Sequence, residues 1–209
     1  ISGDIRRTTP RLKENFSKGL IKSGITVLDM GIVHTPANYF SMFHLNVDGA
    51  VQITGSHNPP EFNGFKLSYK QRAFYGDQIQ GLRKLMEIRD FEMGLGTIEE
   101  INIIAPYHAM LKEKISIDRP LKAVIDCGNA AACLSAPEIF SAVGIVTKKL
   151  YCDVDGTFPN HHPDPTEDHN LEELVKQIQS GNYDFGVAFD GDADRVVAVD
   201  ETGGIIRSD

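Results

Sequence analysis

Strand-like and helix-like stretches alternate along the whole chain, and that alternation restricts the possible fold more than any other property of the sequence. Pro10 opens a stretch, 11–22, in which Leu12, Phe16, Leu20 and Ile21 fall at helical spacing, and Gly24 stops it. A strand at 25–30 follows, then a helix over 37–45 begun by Thr35-Pro36, with the threonine oxygen as its expected cap. Strands are expected at 49–54 and 65–69, and an amphipathic helix at 77–88. After a break at Leu95-Gly96-Thr97 comes a connecting helix over 104–115. A second round then runs through strand 122–126, helix 135–143, strand 145–150, helix 171–179, strands 185–189 and 196–199, and a turn at 202–204 into 205–207. This order predicts an α/β fold of two three-layer α/β/α domains, 1–103 and 104–209, with mixed, mostly parallel sheets. Ligands in such sheets sit beyond the carboxyl ends of the strands.

Composition narrows the function classes. A formal net charge of −8 without a basic cluster argues against a nucleic-acid surface. The apolar runs are strand-sized, so no membrane span is expected, and no signal-peptide pattern is present; the expected location is cytoplasmic. Cys127, Cys133 and Cys152 are an odd number without metal-type spacing and read as reduced core thiols.

Two loops carry the chemistry. Thr54-Gly55-Ser56-His57-Asn58-Pro59-Pro60 places a serine and a histidine on a loop that two prolines stiffen, and Lys66 follows after Asn63-Gly64. The glycine, asparagine and prolines of this loop also favour a plain turn. Asp190-Gly191-Asp192-Ala193-Asp194-Arg195 alternates three carboxylates between apolar strand-like flanks. Carboxylates so close repel one another unless a cation lies between them, and Mg²⁺ or Ca²⁺ suits such oxygens. Glu201 stands at the twelfth position from Asp190, as in an EF-hand, but Arg195 occupies the position that needs glycine and the flanks are not helical. Asp153-Val154-Asp155-Gly156-Thr157 offers a competing aspartate nucleophile, but its flanks Lys148-Lys149 and Phe158-Pro159 suit neither a buried strand nor a following helix. The adjacent His161 and His162 read as part of a proline-rich loop and not as a zinc site. A nucleophile beside a hard-metal site is the equipment for phosphoryl transfer.

With those residues in view, the chain resembles the α-D-phosphohexomutases, and within them the phosphomannomutase/phosphoglucomutase branch. Residues 54–66, TGSHNPPEFNGFK, are similar to their phosphoserine loop. Residues 190–195, DGDADR, resemble their metal loop, with Ala193 where glycine is usual. Residues 152–165 look like a segment of that branch, and 3–10 resemble an early Gly-Arg-Asp-x-Arg-x-Ser-x-Pro segment in which Gly3 replaces the first arginine.

The resemblance implies that Ser56 is the phosphoserine and that Asp190, Asp192 and Asp194 hold Mg²⁺ with one of its oxygens. It implies that Arg195 and Asn58 contact phosphate, and that His57 and Lys66 assist proton transfer and charge stabilisation. The implied reaction interconverts hexose 1-phosphate and hexose 6-phosphate through a hexose 1,6-bisphosphate. The family has four domains, and the resemblance covers most of the first and all of the second. An N-terminal strand, the sugar-selecting loop of domain 3 and the phosphate loop of domain 4 are therefore expected to lie outside this chain, which alone is expected to turn over little substrate. Two other readings stand beside this one: a phosphoglucosamine mutase, and a non-catalytic module that binds metal or phosphosugar.

Overall fold

The computed structural model describes residues 1–207; the last two residues of the expected second domain lie outside the described part. The first half contains β1 (Ser2–Gly3), α1 (Thr9–Lys22), β2 (Val27–Asp29), α2 (Thr35–His44), β3 (Gly49–Ile53), β4 (Phe65–Tyr69), β5 (Arg72–Phe74), α3 (Asp77–Ile88) and β6 (Ile98–Glu100). After the connecting helix α4 (Ile104–Lys114) come β7 (Leu121–Asp126), α5 (Ala136–Ala142), β8 (Ile145–Leu150), α6 (Glu172–Ser180), β9 (Phe185–Phe189), β10 (Val196–Asp200) and β11 (Ile205–Ile206).

The first sheet has the order β1-β3-β4-β5, and β2 pairs with β6. Backbone bonds from Gly3 to Gly31, Met30 to Ile1 and Val33 to Gly3 lay the segment after β2 along β1 and join the two sheets. The second sheet runs β11-β10-β9-β7-β8. Parallel pairing is found for β1 with β3, β2 with β6, and β7 with both β8 and β9; the hairpin-linked strands β3-β4-β5 and β9-β10-β11 are antiparallel. The sheets are thus mixed, with four parallel and four antiparallel pairs: strands linked through helices pair in parallel, and short connections force antiparallel pairing along one side of each larger sheet. No helix of the described residues is long and apolar enough to cross a membrane.

Each half has its own core. Leu171, Leu174 and Ile178 of the α6 region pack on Val124, Val197 and Val199 of the second sheet. Leu12, Phe16, Leu20 and Ile21, the helical stripe of α1, pack on Val27 and Ile53 of the first. A third cluster joins the halves: Met30, Val33 and Ala37 meet Ile103, Ile104 and Tyr107 of the connecting segment.

One local expectation is corrected here. The cap of α2 is His34, whose Nδ1 accepts from the Ala37 N–H at 3.2 Å; Thr35 is already helical and its hydroxyl is free to reach Asp192 in the other half. The strands β5 and β6, short and mostly exposed, had no pattern strong enough to predict.

Candidate active site

Ser56 follows β3 directly, at its carboxyl end, and the acidic loop follows β9 in the same way. Each half thus presents one of the two loops at the carboxyl end of a strand. Ser56 adopts φ 51°, a left-handed backbone that costs an L-residue about 1–2 kcal/mol. What holds it there is visible on both sides of the residue: its N–H donates to Thr54 Oγ1 at 2.8 Å, and its carbonyl accepts from Arg6 Nη2 at 2.6 Å.

Arg6 organises the whole loop from within. Its side chain is buried, and its guanidinium donates to the carbonyls of Ser56, Asn58, Pro59 and Phe62 and, through Nε, to Asp4 Oδ2 at 3.0 Å. All of its N–H donors are thus used. Asp4 in turn accepts from the hydroxyls of Thr9 and Thr54. Gly55 is required beside this network, because a Cβ there would lie 2.6 Å from the Arg6 guanidinium carbon.

The two loops touch directly. Ser56 Oγ donates to Asp190 Oδ2 at 3.1 Å, and a Cβ on Gly191 would lie 2.2 Å from the Ser56 carbonyl oxygen. Lys66, from β4, places its ammonium 2.6 Å from both Asp192 Oδ2 and Asp194 Oδ2. Arg195 donates from Nη1 to His57 Nδ1 at 2.7 Å, so the neutral His57 ring carries its hydrogen on Nε2. Asn58 is exposed, and the hydrogen bond that ties it into the network is the one its carbonyl accepts from Arg6. Ala193, at φ 61°, holds the backbone conformation that glycine would adopt more readily, and the acidic loop keeps its turn.

Ligand oxygens of Asp190, Asp192 and Asp194 all lie within 4.8 Å of one another. Burial first, and then the neighbouring Asp192, push Asp190 up to about 7. Burial also opposes ionisation of Asp192, but the Lys66 ammonium and the Thr35 hydroxyl outweigh it and hold the carboxyl below its usual range. For Lys66 the balance mirrors this: burial disfavours the cation, and the two aspartates raise its pKa nonetheless. Asp192 Oδ1 is buried without a hydrogen-bond partner among the described residues. A buried, unpaired carboxylate oxygen within a group of three carboxylates fits a hard divalent cation, for which such oxygens are the natural ligands.

Several residues that sequence reasoning missed support this arrangement. Thr35 binds Asp192 through its hydroxyl and through its N–H, the latter donating to the Asp192 carbonyl at 2.9 Å. Behind it, His34 Nε2 donates to Ser135 Oγ at 2.7 Å, and the Ser135 hydroxyl donates to His108 Nε2 at 2.8 Å. His108 Nδ1 faces Glu138 at 3.1 Å, so a polar relay links the first half, α4 and the second half. Its direction follows from the cap: because His34 Nδ1 accepts from Ala37, Nε2 is the protonated nitrogen. Only Thr35-Pro36 gave any signal in the sequence, and it read as a cap.

The competing motifs take other roles. Asp155 accepts from the N–H and hydroxyl of Thr157 in a local turn, and Phe158, just beyond, lies 5.4 Å from the Arg6 guanidinium carbon with its ring facing it. The segment is a clamp between the halves. His161 Nε2 lies 3.1 Å from both oxygens of the buried Asp126.

Residues 1–92 match the family description "Phosphoglucomutase/phosphomannomutase, alpha/beta/alpha domain I", and 105–204 match domain II of the same family. A phosphomannomutase/phosphoglucomutase of Pseudomonas aeruginosa is 41% identical over 209 residues, which is 100% of this chain and 45% of that protein. A phosphoglucomutase of Neisseria meningitidis is 40% identical over 208 residues, 99% of this chain and 45% of that one. A crystal structure of a phosphoglucomutase/phosphomannomutase family protein from Burkholderia thailandensis superposes with a TM-score of 0.95 at 40% identity, covering 98% of this chain and 46% of that chain. The chain thus spans a little under half the length of these relatives. Its two matched domains and its identity to these relatives along its length place it in the phosphoglucomutase/phosphomannomutase family.

Proposed function

We propose that this chain supplies the phosphoryl-transfer half of a phosphohexomutase that interconverts the 1- and 6-phosphates of mannose or glucose. The observation that carries the proposal is the contact between Ser56 Oγ and Asp190, made where three carboxylates and Lys66 converge. In this reading Ser56 carries the phosphoryl group. Transfer breaks the P–Oγ bond and forms a bond from phosphorus to a sugar hydroxyl, whose proton passes by way of a neighbouring base to the departing Ser56 Oγ; a bisphosphorylated sugar results, and the reverse step returns its other phosphate to Ser56. Such transfer depends mainly on positioning and on stabilising the charge of the moving group.

Asp190, Asp192 and Asp194 would hold Mg²⁺, which supplies Lewis-acid stabilisation of phosphoryl oxygens when bound. Lys66 stabilises charge, since its partners keep it cationic. Arg195 orients His57 through the bond to Nδ1 and leaves Nε2–H as the ring's donor. Arg195 and Asn58 are proposed as phosphate contacts, and residues 1–103 and 104–209 as the two domains that form this half of the cleft. The names of the relatives support mannose and glucose phosphates over glucosamine phosphate, and selection of the sugar is assigned to the remaining length of the relatives.

Intact-protein and peptide mass spectrometry test the proposal. A phosphate on Ser56, exchangeable with glucose 1,6-bisphosphate, is the expected result, and Ser56→Ala should abolish coupled mutase activity in a full-length version. Activity retained by that variant would reject it.

A further inference from the structure

Three cysteines, Cys127, Cys133 and Cys152, converge behind the acidic loop. Cys127 leaves the end of β7, Cys152 lies just past the end of the neighbouring parallel strand β8, and their sulfurs are 3.3 Å apart. Cys133, on the short helical turn between β7 and α5, packs in the same cluster with Ala132, Phe189 and Ala193. Cys127 is fully buried, whereas Cys133 and Cys152 are partly exposed. The backbone already fixes this geometry: Cys127 N–H donates to the Leu150 carbonyl at 3.1 Å, and Asn129 N–H donates to the Tyr151 carbonyl at 2.7 Å. Neighbouring parallel strands bring Cα atoms within the distance a disulfide needs.

We infer that Cys127 and Cys152 form an oxidation site, closing to a disulfide when the protein meets a peroxide. The partly exposed Cys152 is the sulfur oxidised first. Its thiol is held below the usual range, chiefly by the hydrogen bond with Cys127, while Cys127 is pushed well up by its two cysteine neighbours and by burial. The Cys152 thiolate takes one oxygen from hydrogen peroxide, the O–O bond breaks, and water leaves after protonation, giving a sulfenic acid. Cys127 then attacks that sulfur; the S–S bond forms, the S–O bond breaks and a second water leaves. Two thiols lose two electrons, and one peroxide becomes two waters.

The position gives the bond a consequence. The segment that begins at Cys127 donates from Ala131 N–H to the Gly191 carbonyl at 3.2 Å, and Ala193 belongs to the same cluster, so the thiol pair backs the acidic loop.

Peptide mapping after treating the reduced protein with hydrogen peroxide and blocking remaining thiols tests the inference. Trypsin releases Cys127 and Cys133 together on peptide 123–148, and Cys152 on 150–176. The expected product is a cross-link between these peptides, reversed by dithiothreitol, in the wild type and in Cys133→Ser, and absent in Cys152→Ser. Cys133→Ser leaves Cys127 and Cys152 as the two cysteines of these 209 residues, so the assignment does not depend on a variant at buried Cys127. Oxidation that ends at sulfinic acid on Cys152, or a cross-link lost in Cys133→Ser, would overturn the inference.

Discussion

Thr35 holds Asp192 at two points: its hydroxyl donates to the carboxylate Oδ2, and its N–H donates to the Asp192 carbonyl at 2.9 Å. Because the other carboxylate oxygen has no partner among the described residues, Thr35 and Lys66 together fix where that oxygen points. The first half of the chain thereby orients a group on the second.

From this, Thr35→Val should weaken Mg²⁺ binding roughly 10–100-fold, the usual effect of removing a hydrogen bond to a metal-binding group. The backbone bond remains, so the fold should survive. Titration calorimetry with Mg²⁺, together with circular dichroism, checks both parts. Unchanged affinity would mean that the hydroxyl does not position Asp192.

Mg²⁺ binding should also depend on pH. Asp190 sits at about 7, raised by burial first and then by Asp192, and a cation needs the carboxylate. Below that pH binding must displace a proton, so the apparent dissociation constant should fall about tenfold per unit as pH rises towards 7 and then level off. Calorimetry between pH 5.5 and 8.5, in buffers of different ionisation enthalpy, counts the proton released. A flat profile with no proton release contradicts the assignment.

Arg6 predicts a large stability effect away from the chemistry. Arg6→Met would leave four loop carbonyls without their donor and Asp4 without its cation. Breaking a buried pair in this way costs about 3–5 kcal/mol. Urea unfolding measures the loss, and hydrogen exchange over residues 55–63 should accelerate with it. A loss below about 1 kcal/mol, the scale of one ordinary hydrogen bond, would mean that the prolines alone keep the loop in place.

These residues show why one part of the site was legible in sequence and another was not. Ser56 and the three aspartates lie in loops with recognisable motifs, and Lys66 stands on β4 just after the first of them, so the sequence pointed to all five. Thr35, His34 and Ser135 have ordinary neighbours, and their roles arise only where the two halves meet; the role of Arg6 arises from loop carbonyls 50 to 56 residues further along the chain. Thr35-Pro36 is a good helix start on local grounds; that the cap is His34 depends on Asp192, 157 residues away, claiming the threonine hydroxyl. The central strands were likewise clear from their apolar runs, while β5 and β6 bury too little to leave a pattern.

His34 gives a pH dependence of stability with a definite sign. Burial first, then the neighbouring His108, lowers it from 6.5 to about 4. Between those values the unfolded chain binds a proton that the folded chain refuses, so stability must fall as pH falls through the window. The contribution is whole above 6.5 and is lost as pH approaches 4; between pH 7 and 5 the change is about 2 kcal/mol. His34→Asn keeps a capping oxygen for the Ala37 N–H but cannot titrate. Urea unfolding of both proteins at pH 7 and pH 5 isolates the effect, since every other titrating group is shared. The wild type should lose about 2 kcal/mol more than the variant; equal losses would show that the buried imidazole accepts its proton, and gives up the cap bond from the Ala37 N–H, without penalty.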